Sequence, residues 1–117
     1  MTDTPLRQKL REALPAAMKA RDRAAVAALR ATLAAIDNAE AVSTEGGPPE
    51  SLAIETLPVG VGATEVARRV LTEEDVRRIV RAEADDREQA AAEYAGLGRP
   101  ERAEQLRAEA GALIAYL

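Results

Sequence analysis

The sequence predicts an all-α fold: four main helices forming two antiparallel hairpins in a small bundle, with a long loop between the hairpins. Three observations carry this prediction. Of the 117 residues, 27 are Ala and none is Phe or Trp. Larger apolar residues recur at spacings of three and four, and most of these runs are bounded by cap residues, prolines or glycines. Ala is the strongest helix former and contributes little to a sheet, so the core must come from Leu, Ile, Val and Ala on closely packed helices. The length suits one domain. It divides into a first hairpin over 5–41, a flexible loop over 42–71 and a second hairpin over 72–117.

The first helix is predicted from about Pro5 to Ala20. Thr4 stands as its N-cap with proline at the first helical position, and Leu6, Leu10, Leu14 and Met18 repeat every four residues along one face. Pro15 removes a backbone donor and disfavours helical geometry at Leu14, which predicts a kink or break there. Asp22 is the cap of a second helix, about Arg23 to Ala41, with Val26, Leu29, Leu33 and Ile36 as its apolar stripe.

From Val42 to Leu71 the periodicity gives way to Gly46, Gly47, Pro48, Pro49, Pro58, Gly60 and Gly62. That composition predicts a mobile connection longer than the usual helix-to-helix loop. A short strand or turn is allowed at Leu52–Leu57 or Val66–Leu71, and Gly60-Val61-Gly62 lacks the preceding strand and the spacing of a phosphate-cradling loop.

Order resumes at Thr72-Glu73-Glu74-Asp75, a cap residue followed by three acidic groups that complement the positive end of a helix dipole. Val76, Ile79, Val80, Ala84, Ala91 and Tyr94 supply the stripe of the third helix, and Gly96-Leu97-Gly98 closes it as a glycine C-cap. Pro100 opens a fourth helix. Ala103, Leu106, Ala110, Leu113 and Leu117 form its buried side.

The chain has no Cys and no His, which excludes disulfides, thiol nucleophiles, imidazole acid–base chemistry and the usual zinc sites. No metal site and no cofactor is predicted. Residues 1–10 lack a basic start followed by an apolar run, and no stretch approaches the ~20 apolar residues that span a bilayer, so a cytoplasmic location and no membrane partner are expected. The net charge of −4 is uneven. Basic and acidic groups number 7 and 5 in residues 1–42, 2 and 4 in 43–71, and 7 and 11 in 72–117. An acidic chain is a poor general nucleic-acid binder, and DNA is not an expected partner, but a local basic face on the first segment remains able to touch phosphate.

That face is Lys19, Arg21, Arg23 and Arg30, clustered about the first turn, where cations meet a phosphate backbone or an acidic partner. The bland reading is a solvated turn whose field Asp22 and Asp37 dilute. Glu83 and Arg87, four apart on the third helix, read foremost as an ordinary surface pair, with a partly buried pair or a polar site in a groove as alternatives. Tyr94 and Tyr116 read as core aromatics with their hydroxyls at the edge. The acidic residues Glu73, Glu74, Asp75, Asp85 and Asp86 read as dipole complement and solvated face rather than a cation site.

Three stretches together resemble the YqeY family, which shares a domain name with the tail of the GatB subunit of tRNA-dependent amidotransferases. The first is Met18-Lys19-Ala20-Arg21-Asp22 with Leu29-Arg30; the second is Leu71-Thr72-Glu73-Glu74-Asp75-Val76. The third is Arg87, Tyr94, Arg99-Pro100-Glu101, Ala103-Glu104, Glu109, Leu113 and Tyr116-Leu117. The resemblance covers roughly residues 5–42 and 71–117. Members of the family continue past the Tyr-Leu pair with a proline and a second small helical domain, the part that resembles the tRNA-contacting tail; the sequence here stops at Leu117, so the first helical domain, without the tail domain, is what is expected.

The resemblance implies a non-catalytic accessory or interaction module linked to tRNA-dependent amidotransferase biology. Lys19, Arg21, Arg23 and Arg30 are then candidates for contact with tRNA or an aminoacyl-tRNA-linked protein, and Arg87, Tyr94 and Arg99 are candidates for a groove. It also implies an alternative, a carbon–nitrogen ligase with glutamine as amido donor. That activity needs a nucleophile to release ammonia and an activated carboxyl, and the residue types that usually supply the first are missing. No catalytic residue is therefore assigned. A third reading is a helix-groove interaction or self-association module, with Leu52, Ile54, Leu57 and Val59 of the long loop as contacts.

Overall fold

The computed structural model describes residues 4–41 and 70–117. Four helices run in order: α1 (Leu6–Ala20), α2 (Arg23–Ala41), α3 (Glu73–Gly96) and α4 (Pro100–Ile114). The described residues contain no strand, and none of their helices is long and apolar enough to cross a membrane. The α3–α4 hairpin has the most extensive contact; α2 packs on both α1 and α4 and joins the two hairpins. The predicted strand or turn at Leu52–Leu57, the Gly60-Val61-Gly62 segment and the loop contacts Leu52, Ile54, Leu57 and Val59 lie outside the described residues. So does nearly all of Val66–Leu71, whose last two residues precede α3 without regular structure.

The helix boundaries follow from local chemistry. Asp22 Oδ1 accepts the Ala25 amide at 3.1 Å and starts α2. Thr72 and Asp75 form a reciprocal capping box at α3: Thr72 Oγ1 accepts the Asp75 amide at 3.0 Å, and Asp75 Oδ2 accepts the Thr72 amide at 2.9 Å. At its far end the Arg99 amide donates to the Tyr94 carbonyl and the Gly98 amide to the Ala95 carbonyl, with Gly98 at φ 76°. This is a Schellman turn with glycine where a positive φ is required.

Three expectations for α1 need correction. Thr4 does not cap it: Pro5 occupies the N-cap position without a side-chain hydrogen bond, and the Leu6 amide donates instead to Glu73 Oε2 of α3 at 2.8 Å. Of the kink or break expected at Pro15, the break does not occur, for the helix is continuous from Leu6 to Ala20. Both Pro15 and Arg11, whose carbonyl loses its partner, are exposed, so water can take up the orphaned acceptor. Met18 is 48% exposed while Leu6 and Leu10 are buried. A four-residue repeat drifts about 40° per step on a 3.6-residue helix, which carries Met18 off the face that Leu6 defines.

The main core gathers Leu6 and Leu10 of α1, Ala28, Leu29 and Ile36 of α2, Val76, Val80 and Ala84 of α3, and Ala110 and Leu113 of α4. On α2 the buried line is Ala25, Ala28, Leu29, Thr32 and Ile36, with Val26 and Leu33 only half-buried beside it. The small residues on that line let α1 and α4 approach α2 closely. Thr32 is fully buried and its hydroxyl has no hydrogen-bond partner among the described residues. A smaller apolar cluster of Ala91, Ala103 and Leu106 lies at the far end of the α3–α4 hairpin.

Candidate functional site

The turn between α1 and α2 is a second Schellman arrangement, this time without glycine. The Asp22 amide donates to the Ala17 carbonyl at 3.0 Å and the Arg21 amide to the Met18 carbonyl at 3.1 Å. Arg21 carries the left-handed conformation the motif needs, φ 59° and ψ 37°. Lys19, Arg21 and Arg23 are thereby brought to one end of the hairpin, and all three side chains are exposed. Arg30 is exposed two turns along α2 on the same side as Arg23. Among the described residues none of these four makes an ion pair or a side-chain hydrogen bond.

The expected dilution by Asp37 is confined to Arg30. Asp37 lies fourteen residues beyond Arg23 on one helix, about 21 Å away, well past the ~8 Å over which exposed charges act at physiological salt, but only seven residues, about 10 Å, beyond Arg30 on the same face. It and Glu40 are taken up by Arg7 of α1. Arg7 Nη1 and Nη2 reach the two Glu40 carboxylate oxygens at 2.8 and 2.9 Å, and Nη2 reaches Asp37 Oδ1 at 2.6 Å. Hydrogen bonding to Glu40, with a further contribution from Asp37, outweighs desolvation and raises the Arg7 pKa above its ordinary value. Asp37 and Glu40 thus sit at the open end of the first hairpin with Arg7, and Asp22, already occupied in capping α2, is the one acid at the turn; Glu12, Lys9 and Arg11 are exposed along α1 between the two ends.

Arg87, Tyr94 and Arg99 are not brought into one groove. Arg87 points between α3 and α4, with 14% of its side chain exposed. Its Nε donates to Glu109 Oε1 at 2.9 Å, and its Nη1 donates to Glu83 Oε1 at 2.9 Å and to the Glu83 carbonyl at 3.0 Å. Gln105 Nε2 completes the set at 3.3 Å from Glu109 Oε2. This is an interhelical ionic cluster, more than the surface pair that the Glu83–Arg87 spacing alone predicts. Tyr94 packs against the smaller apolar cluster, with the Arg102 guanidinium 5.8 Å from its ring centroid. Arg99 is exposed at the hairpin turn, where it lines a shallow concavity with Gly98, Pro100, Glu101 and Arg102.

The acidic run at the start of α3 is engaged in structural contacts: Glu73 holds the Leu6 amide, and Asp75 serves the capping box and Arg78. Among the described residues no three carboxylates converge as metal ligands. A groove with alanine walls runs between α1 and the end of α4, lined by Ala13, Ala17 and Ala20 on one side and Ala112, Ala115 and Tyr116 on the other. Sequence reasoning did not single out Arg7, and it named Glu109 only within the YqeY-like stretch, with no contact assigned to it. Their partners lie 33 and 22 positions away, so no local spacing signals either contact.

No protein-family model matches the chain, and comparison with curated proteins and with solved structures likewise finds no match.

Proposed function

We propose that the chain is a helical accessory module that binds RNA phosphate through the α1–α2 turn, with tRNA as the RNA that the YqeY-like stretches imply, and that works alongside an amidotransferase instead of carrying the transfer reaction itself. The observation that supports this reading is the disposition of charge on the first hairpin. Lys19, Arg21, Arg23 and Arg30 are exposed and have no carboxylate partner among the described residues, while Asp37 and Glu40, near the other end of α2, are paired with Arg7. Guanidinium and ammonium groups held at a rigid turn between two helices are suited to phosphate oxygens, and contacts of that kind position a protein on RNA without reading sequence. In this reading the acidic second hairpin faces away from the RNA and is left for a protein partner.

Fluorescence anisotropy with bulk tRNA at a series of salt concentrations tests the proposal. Binding should weaken with salt, each phosphate contact adding about −0.7 to −0.9 to the slope of log K against log salt. Replacing Lys19, Arg23 and Arg30 together by Gln should flatten that slope by about two to three. Absence of binding at low salt overturns the proposal. The same titration followed by light scattering separates RNA binding from self-association of the protein.

A further inference from the structure

The apolar interior has two parts, and what lies between them is ionic. Along α3, Arg87 falls between Ala84 of the main core and Ala91 of the smaller cluster; along α4, Glu109 falls between Leu106 of the smaller cluster and Ala110 of the main core. The layer that would carry side-chain packing from one cluster into the other is thus filled by the Arg87–Glu109 contact, with Glu83 and Gln105 at its edges. Glu109 is 6% exposed, so the layer is interior and not a surface decoration.

Such a layer couples its two sides weakly. A buried ion pair returns little net stabilisation once desolvation is counted, whereas an apolar layer of the same volume would add to the stability of both neighbours at once. The tip beyond it has a small core, two alanines and Leu106, with Ala90 and Tyr94 packed against them. Facing the other hairpin, a concavity opens between Ala24 at the start of α2 and the face of α4 formed by Pro100, Glu101, Glu104, Gln105 and Ala108. Separation of the tip leaves no stranded cation. Arg87 keeps both Glu83, four residues back on its own helix, and Glu109, since all three lie outside the tip.

We propose that residues 88–106, the end of α3 with the turn and the first half of α4, form a separate cooperative unit that opens while the rest of the bundle stays folded, and that the Arg87–Glu109 layer is its boundary. The fold therefore contains a hairpin tip able to expose Ala91, Ala103 and Leu106 transiently without global unfolding.

Residue-resolved native-state hydrogen exchange by NMR, in rising sub-denaturing guanidinium, tests this on the full chain. Amides of Ala91 and Leu106 should exchange at least about tenfold faster than those of Ala28, Val80 and Leu113, with a smaller denaturant dependence, because only part of the surface is exposed in the opening. In the Arg87→Met/Glu109→Leu variant the two groups should converge on one rate and one denaturant dependence, since the boundary is then apolar. A single global opening in the unmodified protein overturns the proposal. So does a folded double variant in which the tip still opens alone. If the double variant does not fold, the unmodified protein decides by itself.

Discussion

Glu73, the first residue of α3, accepts the backbone amide of Leu6, the first residue of α1, at 2.8 Å across 67 positions of sequence. The start of one hairpin is thus capped by a side chain of the other. An N-cap acceptor contributes ~0.5–2 kcal/mol, so Glu73→Ala should lower stability by about 1 kcal/mol in urea denaturation. Thr4→Ala should change it by less than ~0.5 kcal/mol, as expected for an exposed residue that caps nothing.

Arg21 holds a left-handed backbone conformation that costs an L-residue roughly 1–2 kcal/mol and glycine almost nothing. Glycine loses ~0.5–1 kcal/mol of that advantage through its freer unfolded chain. Arg21→Gly should therefore stabilise the protein by about 0.5–1 kcal/mol while removing one cation from the RNA-facing turn. The same variant in the tRNA titration should bind more weakly, and a rise in melting temperature together with a loss of affinity is the expected signature.

Pro15 interrupts the hydrogen-bond ladder of a continuous helix at an exposed position. Proline in a helix interior is about 3 kcal/mol less favourable than alanine, partly offset by the restriction it places on the unfolded chain. Pro15→Ala should raise the midpoint of urea unfolding, by about 1–3 kcal/mol in free energy. An unchanged midpoint would mean that α1 is already frayed at that turn.

Leu29 and Leu33 are equivalent on the sequence stripe but not in the bundle, where Leu29 is 2% exposed and Leu33 only half-buried. Leu29→Ala should cost ~3–5 kcal/mol because the cavity it leaves is enclosed. Leu33→Ala should cost roughly 1–2 kcal/mol, since its side chain keeps part of its surface in water. Equal losses for the two would contradict the orientation of α2.

Removing one partner of the interhelical cluster should be more damaging than its modest net contribution implies. Arg87→Ala leaves the Glu109 carboxylate buried without its cation, a change worth about 3–5 kcal/mol. Glu83→Gln, at the cluster's more exposed edge, should cost about 1 kcal/mol or less. Thermal and chemical denaturation of the two variants checks the ranking.

What was legible in the sequence is what depends on neighbours within a turn or two. Asp22 ahead of α2, the capping box at Thr72 and the glycine at the end of α3 are encoded by short spacings, and the four helices follow from them. The contacts that join helices were not legible. Arg7 with Glu40, Glu73 with Leu6 and Arg87 with Glu109 lie 33, 67 and 22 positions apart, and each follows from packing that the chain pattern leaves open. The buried line of α2 was obscured for a related reason: two alanines and Thr32 occupy positions where large apolar side chains were sought, and Val26 and Leu33 drew attention to the flank. For the candidate site, the basic residues of the turn were visible, and the length of α2 already separated Asp37 from Arg23; what was not visible is that Arg7, on the other helix, takes up Asp37 and Glu40.

The Arg87–Glu109 contact also bears on how α3 and α4 are set against each other. Both helices carry alanine at repeated intervals, so a shift of one turn would still set some alanines against alanines. Such a slip would place Gln105 or Leu113 opposite Arg87 in place of Glu109, leaving the guanidinium without its interhelical carboxylate and burying polar atoms against a leucine. The ionic layer that divides the interior therefore penalises a slip of one turn, adding to the alignment already set by the closing turn and by Leu106 and Leu113.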